Sequence, residues 1–311
     1  MATQPLFVSS GDLVADRRYR WAIDYLKQGD PAAAAEVLEQ VVETAPAFAT
    51  AWFALAVIRE QMGDQAGAVA AFEAASGADP EDYHGARLHL SRLGARDTIP
   101  PMTATYVRRL FDQHAPEFDR SLLERLAYRG PAVLLEAVTA VRDAPRFRSA
   151  LDLGCGTGLA GIAFRSHCDL LAGMDLSERM IEQARARGVY DTLAVGDVLE
   201  FLAAQPPGAH DLVLAADVFV YCGDLAPICR AAARVLDRGG LFAFTVERHD
   251  GAGVVLQPTL RYAHSEAHVR TALSEAGLEL PHLAPVSTRK EKGEWVPGLV
   301  AVAIAPPTSA A

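Results

Sequence analysis

The stretch Ser149–Gly161, S-A-L-D-L-G-C-G-T-G-L-A-G, constrains the fold more than any other part of the chain. A short apolar run (Ala150, Leu151, Leu153) carries one acid, Asp152, and breaks into Gly154, Gly156 and Gly158 before an alanine-rich helical pattern begins. That pattern reads as a buried strand, a tight glycine turn and a helix start. Glycine admits φ > 0 and lets another group approach with no Cβ in the way. The helix start behind the turn offers free N–H groups and a positive dipole end to a polar or anionic ligand.

From Ser149 onward strand and helix patterns alternate, which calls for a parallel sheet layered with helices, an α/β fold. Strands are expected near 149–153, 170–174, 191–195, 211–216 and 240–246, with helices near 158–167, 177–187, 198–204 and 224–237. An insertion past Gly251, a helix near 265–276 and strands near 282–287 and 297–304 complete a domain over 149–311. Asp152, Asp175 and Asp197 each fall at the end of one of three consecutive strands. Ligands of open α/β sheets sit outside that edge, so three acids there are a more specific signal than any one.

Gly156-Thr-Gly158-Leu-Ala-Gly161 also matches the dinucleotide fingerprint letter by letter, with Asp175 near the place of a ribose-binding acid. A nicotinamide oxidoreductase is therefore one reading. It has no use for Asp197, and no Tyr-x-x-x-Lys pattern accompanies it. The longer string, with an acid two residues before the first glycine and glycines at alternate positions, resembles motif I of the class I S-adenosylmethionine-dependent methyltransferases. The resemblance implies a Rossmann-like sheet of seven strands in the order 3-2-1-4-5-7-6, the last antiparallel. It implies S-adenosyl-L-methionine as cofactor and S-adenosyl-L-homocysteine as product. Asp152, Gly154, Cys155, Gly156 and Gly158 would then surround the methionine and ribose portions. Asp175 would take the ribose hydroxyls, with Leu176, Met180, Asp197, Val198 and Ala216 around the adenine and the strand ends. Ser177 is a good cap for the following helix, and Asp175 and Asp197 have plain capping readings too.

Residues 13–94 read as all-helical and repeat themselves: Pro46 to Pro80 gives a period of 34. Over that period Trp21 matches Leu55, Ala22 matches Ala56, Ala34 matches Ala68, Leu38 matches Phe72 and Val41 matches Ala75, with Gly-Asp turns at 29–30 and 63–64. The pattern is similar to tetratricopeptide repeats. Two repeats are few for a free-standing solenoid, and a helix near Tyr83–Leu93 is expected to cap the stack. The repeats read equally as a docking surface for a protein or a second copy, or as a stabilising appendage. Residues 95–148 form a linker containing Pro100-Pro101, and a helical segment. Its Phe111-Asp112 and Phe118-Asp119 pairs resemble the cofactor lid of small-molecule methyltransferases, although helical spacing fits a core face as well. A helix is expected over Leu122–Tyr128 and another over Gly130–Val141. Together these features resemble a bacterial group of tetratricopeptide-repeat methyltransferases across nearly the whole chain.

Composition sets the remaining bounds. A formal net charge of −10 and the lack of a Lys/Arg-rich run argue against a nucleic-acid substrate. No run of 18 apolar residues and no basic leader appear, so neither a membrane partner nor export is expected, and the chain reads as cytoplasmic. Cys155, Cys168, Cys222 and Cys229 form no C-x-x-C pair and read as reduced thiols.

The fourth strand runs from Asp211, read as structural, to Asp217 and Tyr221, whose end would face the transferred methyl group. Tyr106, Asp217, Tyr221, Arg261 and Tyr262 are the candidates for the acceptor side. His114, His249, His264 and Tyr221 are the candidates for catalysis, since a base must reach the acceptor proton. His264 and His268 stand four apart, as two ligands on one helix face would, but with no third ligand they read as an ordinary helix face and no metal is expected. A small-molecule acceptor is the expectation. A protein recruited by the repeats, or a silent repeat-bearing adaptor, is the alternative.

Overall fold

The computed structural model describes residues 7–96 and 101–306, and these divide into two compact units between Tyr106 and Val107. Residue Pro100 of the expected linker lies outside the described residues.

The first unit is a helical stack: α1 (Leu13–Lys27), α2 (Pro31–Thr44), α3 (Ala49–Gln61), α4 (Gln65–Ala78) and α5 (Ala86–Arg92). The repeat explains its geometry. Gly29 and Gly63 take φ of 82° and 84° in equivalent turns, a conformation that costs glycine nothing. Asp30 and Asp64 follow and cap α2 and α4 by accepting from the N–H groups of Ala33 and Gly67, each at 2.9 Å. The matched residues Ala22/Ala56, Ala34/Ala68, Leu38/Phe72 and Val41/Ala75 are all buried in one core. Trp21 and Leu55 break the match: Trp21 is 50% exposed and Leu55 is fully buried. No helix precedes α1 among the described residues, so the face that is covered on α3 is open on α1.

The helix α6 (Ala104–His114) leads through a broken stretch containing α7 (Phe118–Arg120) to α8 (Gly130–Val141). The expected helix over Leu122–Tyr128 is replaced by a π-type turn over Ser121–Arg125. Ala127 then takes φ 47°, which ends any helix there. Beyond α8, strands and helices alternate as β1 (Phe147–Leu153), α9 (Leu159–Phe164), β2 (Cys168–Asp175), α10 (Glu178–Arg187), β3 (Thr192–Val195), α11 (Val198–Ala204), β4 (His210–Ala215) and α12 (Ala226–Val235). The chain continues through β5 (Leu236–Arg248), β6 (Val254–Leu256), β7 (Tyr262–His264), α13 (Glu266–Glu275), β8 (Glu279–Val286), β9 (Lys290–Glu291), β10 (Glu294–Trp295) and β11 (Gly298–Ile304).

The sheet order is β3-β2-β1-β4-β5-β11-β8, with β11 antiparallel to both neighbours, as the resemblance implies. Alternate residues serve opposite faces. Leu151, Leu153, Val213, Phe242 and Phe244 join a core with α12 and α13, and Ala150, Leu212, Leu241, Ala243 and Val300 join another with α8 and α9. The insertion past Gly251 holds two strands that the sequence did not announce. β7 pairs parallel with β5 at Glu247↔Ala263 and Arg248↔His264, beyond Ala215↔Phe244 where β4 leaves β5. β11 occupies the other side of Glu247, so the β6–β7 hairpin continues the lane of β4 past its end. A second hairpin, β9–β10, turns on Lys292 and Gly293, both at positive φ.

Candidate active site

β1 and β2 end side by side, with Asp152 and Leu153 opposite Gly173 and Met174. Asp152 is 1% exposed. Its Oδ2 accepts the Tyr190 hydroxyl at 2.6 Å, and its Oδ1 has no partner. Burial pushes the carboxyl up to about 7, opposed by the Tyr190 hydrogen bond and aided by the charge of Asp175. Asp175 is also raised by burial, against hydrogen bonds from Ser177 and Gly156. Its Oδ2 accepts the Gly156 N–H at 2.9 Å and its Oδ1 the Ser177 N–H at 2.8 Å, which clamps the glycine turn to the end of β2. Asp197 caps α11 through Oδ1, taking the N–H groups of Leu199 and Glu200, and is half-buried with Val198. Met180 is buried, and Ser177 caps α10 by accepting its N–H. Leu176 and Ala216 are half-buried at the ends of β2 and β4.

The glycines of the turn differ in what they make room for. Gly154 takes φ 60°, and a Cβ there would stand 2.6 Å from Val218 Cγ2. Around Gly156, at φ 54°, a Cβ would meet only Phe118, at 3.9 Å, so the open space is on this glycine. Gly161, third in the dinucleotide match, faces Tyr190 instead, where a Cβ would lie 2.4 Å from Cζ. Cys155 is buried in the turn, and burial with the charges of Asp152 and Asp175 drives its thiol upward, away from a reactive thiolate.

The segment before α8 is tied down across this turn. Asp112 accepts the Ser177 hydroxyl at 2.5 Å. Asp119 accepts the Thr157 hydroxyl at 2.5 Å and pairs with Arg187. Arg108 donates to the Leu176 carbonyl at 3.3 Å, and Gln183 donates to that of Ala115. Phe111 meets Phe118 edge-on at 5.9 Å and Tyr221 at 5.2 Å. The Phe118-Asp119 pair therefore sits on the glycine turn, ring near Gly156 and acid on Thr157, while Asp112 reaches Ser177 past the end of β2 and Phe111 packs on Phe118 and Tyr221.

A polar network lies at the carboxyl ends of β4 and β5. Asp217 takes φ 57°, strained for a residue with a side chain. Its N–H donates to Thr245 Oγ1 at 2.9 Å, and its Oδ1 accepts Thr245 at 2.8 Å and Thr288 at 3.0 Å. Its Oδ2 is buried without a hydrogen bond, with Arg289 at 3.8 Å. Arg289 pairs with Glu247, and both are buried. Arg261 reaches Glu291 at 3.2 Å and Glu247 at 3.8 Å. Burial disfavours the Arg261 cation, but Tyr221, Glu247 and Glu291 outweigh that and hold it charged. Tyr128 is driven up by burial and by the charges of Asp217 and Asp152.

The structure thus brings Asp217, Tyr221 and Arg261 together and puts the other expected residues elsewhere. Tyr262 is fully buried with its ring toward Gly223. Tyr106 covers Gly85 with its ring, as the last residue of the helical unit. His114 donates through Nδ1 to the Leu110 carbonyl of its own helix at 2.6 Å. His249 is bound at both ring nitrogens within its own loop, to Gly251 and Gly253. His264 is fully buried on β7, not on a helix as expected, because Ser265 caps α13 one residue later. Its Nε2 donates to the Phe219 carbonyl at 3.3 Å, and burial with His268 and His249 nearby holds it down at about 4. Among the described residues no three His, Cys, Asp or Glu side chains converge to hold a metal ion, and no helix is long and apolar enough to cross a membrane.

Tyr190, Thr245, Thr288 and Arg289 escaped the sequence reading. Each acts on a carboxylate many residues away, and no local pattern marks such a pair.

Residues 151–244 match a family model described as a methyltransferase domain, and residues 19–83 match one described as a tetratricopeptide repeat. Methyltransferase-like protein 27 of Homo sapiens is 28% identical over 214 residues, which cover 67% of this chain and 81% of that protein. The ubiquinone biosynthesis O-methyltransferase of Bordetella pertussis is 30% identical over 147 residues, covering 42% of this chain and 61% of that enzyme. Among solved structures, the 4+2 cyclase SpnF superposes with a TM-score of 0.55 at 18% identity, over 68% of this chain and 99% of that one. A chain from the complex of the Haloferax volcanii Trm112 methyltransferase activator with its methyltransferase gives 0.51 at 21% identity, over 63% and 98%. At such identities the structural likeness is one of fold. Motif, sheet order and sequence match thus agree: residues 151–244 form a methyltransferase domain with the sheet order of the class I S-adenosylmethionine-dependent enzymes, and residues 19–83 carry tetratricopeptide repeats.

Proposed function

We propose that this protein transfers the methyl group of S-adenosylmethionine to a nucleophilic atom of a small-molecule acceptor bound over the ends of β4 and β5. The cofactor supplies an electrophilic methyl on a sulfonium centre. The residues present fit it: an unpartnered carboxylate oxygen on Asp152, open space on Gly156, and acids at the ends of β1, β2 and β3. In this reading Asp175 and Asp197 hold the ribose and adenine ends. Asp112 and Asp119 fasten the lid over them, and Phe111, Phe118 and Tyr221 exclude water.

One observation carries the acceptor assignment. Asp217 is held in a strained backbone conformation by Thr245 and Thr288, with one carboxylate oxygen left without a hydrogen bond. Such strain persists only where the surroundings enforce it. Asp217 takes the acceptor proton or holds the acceptor polar group, with Tyr221 and Arg261 positioning it. Aligning the two reactants and excluding water supplies several kcal/mol of the barrier reduction. The relative from Bordetella, an O-methyltransferase of ubiquinone biosynthesis, supports an oxygen acceptor of small size.

The test is transfer of labelled methyl from S-adenosylmethionine to a panel of small hydroxyl, carboxylate and amine acceptors. Asp217→Asn should lower turnover about 100-fold while leaving S-adenosylhomocysteine affinity within about twofold. Label appearing only in protein would instead favour an acceptor recruited by the repeats. A groove between α2, α3 and α4 lined by Glu39, Glu43, Trp52 and Arg59 is the feature that supports that second reading.

A further inference from the structure

Tyr190 lies in the turn between α10 and β3, outside every motif that announces the cofactor site. Its ring fills a slot made by glycines on two elements. A Cβ at Gly161 would lie 2.4 Å from the ring, one at Gly173 2.9 Å and one at Gly158 3.1 Å. Held there, the hydroxyl donates to Asp152 Oδ2 at 2.6 Å. That bond fixes the carboxylate plane and leaves Oδ1 buried with no partner at the end of β1, next to the glycine turn.

We propose that Tyr190 is a positioning residue: it holds one oxygen of Asp152 so that the other receives the ammonium group of the cofactor. The inference rests on the cofactor reading above. Tyr190 from the α10–β3 turn touches Asp152, and the titratable groups that exchange charge effects with it are Asp175 from β2, Cys155 from the glycine turn, Cys168 at the start of β2 and Tyr128 ahead of α8. None is a cation. A buried carboxylate among them is costly as an anion, and burial accordingly raises Asp152 to about 7. An incoming ammonium supplies the missing charge. The carboxyl O–H bond breaks, its proton passes to solvent buffer, and the ammonium keeps all of its own protons. Affinity is thereby weak at acidic pH, where that proton must be removed, and rises through neutrality to a plateau. The Tyr190 hydrogen bond favours the charged form, so its loss moves the rise to higher pH.

The experiment is calorimetric titration of the whole protein with S-adenosylhomocysteine and with 5′-methylthioadenosine, which lacks the amino-acid portion. Each is run at pH 6 and pH 8 in buffers of different ionisation enthalpy. S-adenosylhomocysteine should release close to one proton at pH 6 and 5′-methylthioadenosine none. Tyr190→Phe, which keeps the ring in its slot, should weaken S-adenosylhomocysteine about tenfold at pH 6 and about twofold at pH 8, the change expected from one pKa unit. Asp152→Asn should abolish the proton release. Equal weakening of both ligands by Tyr190→Phe at both pH values would make Tyr190 a packing residue and overturn the proposal. So would proton release unchanged by Asp152→Asn. If neither ligand binds the unaltered protein, the cofactor reading itself fails.

Discussion

Asp217 is where local geometry and chemistry are most tightly joined. A non-glycine residue at φ 57° is strained by about 1–3 kcal/mol, and two threonine hydroxyls hold it there. Thr245→Val removes one of them while keeping the shape. It should lower turnover about tenfold with little change in cofactor affinity, read as kcat against KM; equal effects on both would assign Thr245 to folding alone. Gly154 sits at φ 60° with Val218 pressed on it, so Gly154→Ala should cost about 1–3 kcal/mol of stability in chemical denaturation. The strand-end places of Asp152, Asp175 and Asp197 were legible because a single acid at a strand end beside glycine is a local pattern. Tyr190 and Arg289 were not: they meet their carboxylates across 38 and 42 residues of chain, and only the folded sheet brings them together. The histidines were chosen for their chemistry, and chemistry alone does not show that backbone carbonyls already engage His114, His249 and His264.

At the scale of elements, legibility follows length and period. α8, α10 and α11 carry their own start signals, a proline in the first turn or a Ser or Asp cap, and they lie where their patterns predict. The 115–129 segment has no such period. It is held from outside, with the Lys290 N–H donating to the Leu126 carbonyl at 2.6 Å and the Arg129 N–H to that of Thr288 at 2.7 Å. The hairpins β6–β7 and β9–β10 have strands of two or three residues, too short to show alternation. The segment tied down across the glycine turn yields a prediction. Asp112→Ala and Asp119→Ala each remove a hydrogen bond to a carboxylate, worth about 1.5–3 kcal/mol. Each should speed S-adenosylhomocysteine release at least about tenfold in stopped flow; unchanged release would show that the segment does not close the site.

Over the whole molecule, two units with separate cores follow from two unrelated periodicities in one chain, a 34-residue helical repeat and a strand–helix alternation. Phe72 belongs to the core of the first unit and Phe242 to one of the cores of the second, both fully buried. Replacing either by alanine should cost about 3–5 kcal/mol. Calorimetry should show each change lowering one transition and sparing the other; a single transition displaced by both would mean that the cores melt as one. The sheet order came through family resemblance and not from spacing, since alternation alone leaves the lateral arrangement of parallel strands open.

The central claim is that the glycine turn and its three acids bind S-adenosylmethionine and not a dinucleotide. The most direct test is calorimetric titration of the protein and its Asp175→Ala variant with S-adenosylhomocysteine and, in parallel, with NADH. The account predicts binding of S-adenosylhomocysteine with a dissociation constant on the order of micromolar, weakened at least about tenfold by Asp175→Ala, and no binding of NADH. Binding of NADH alone would contradict it.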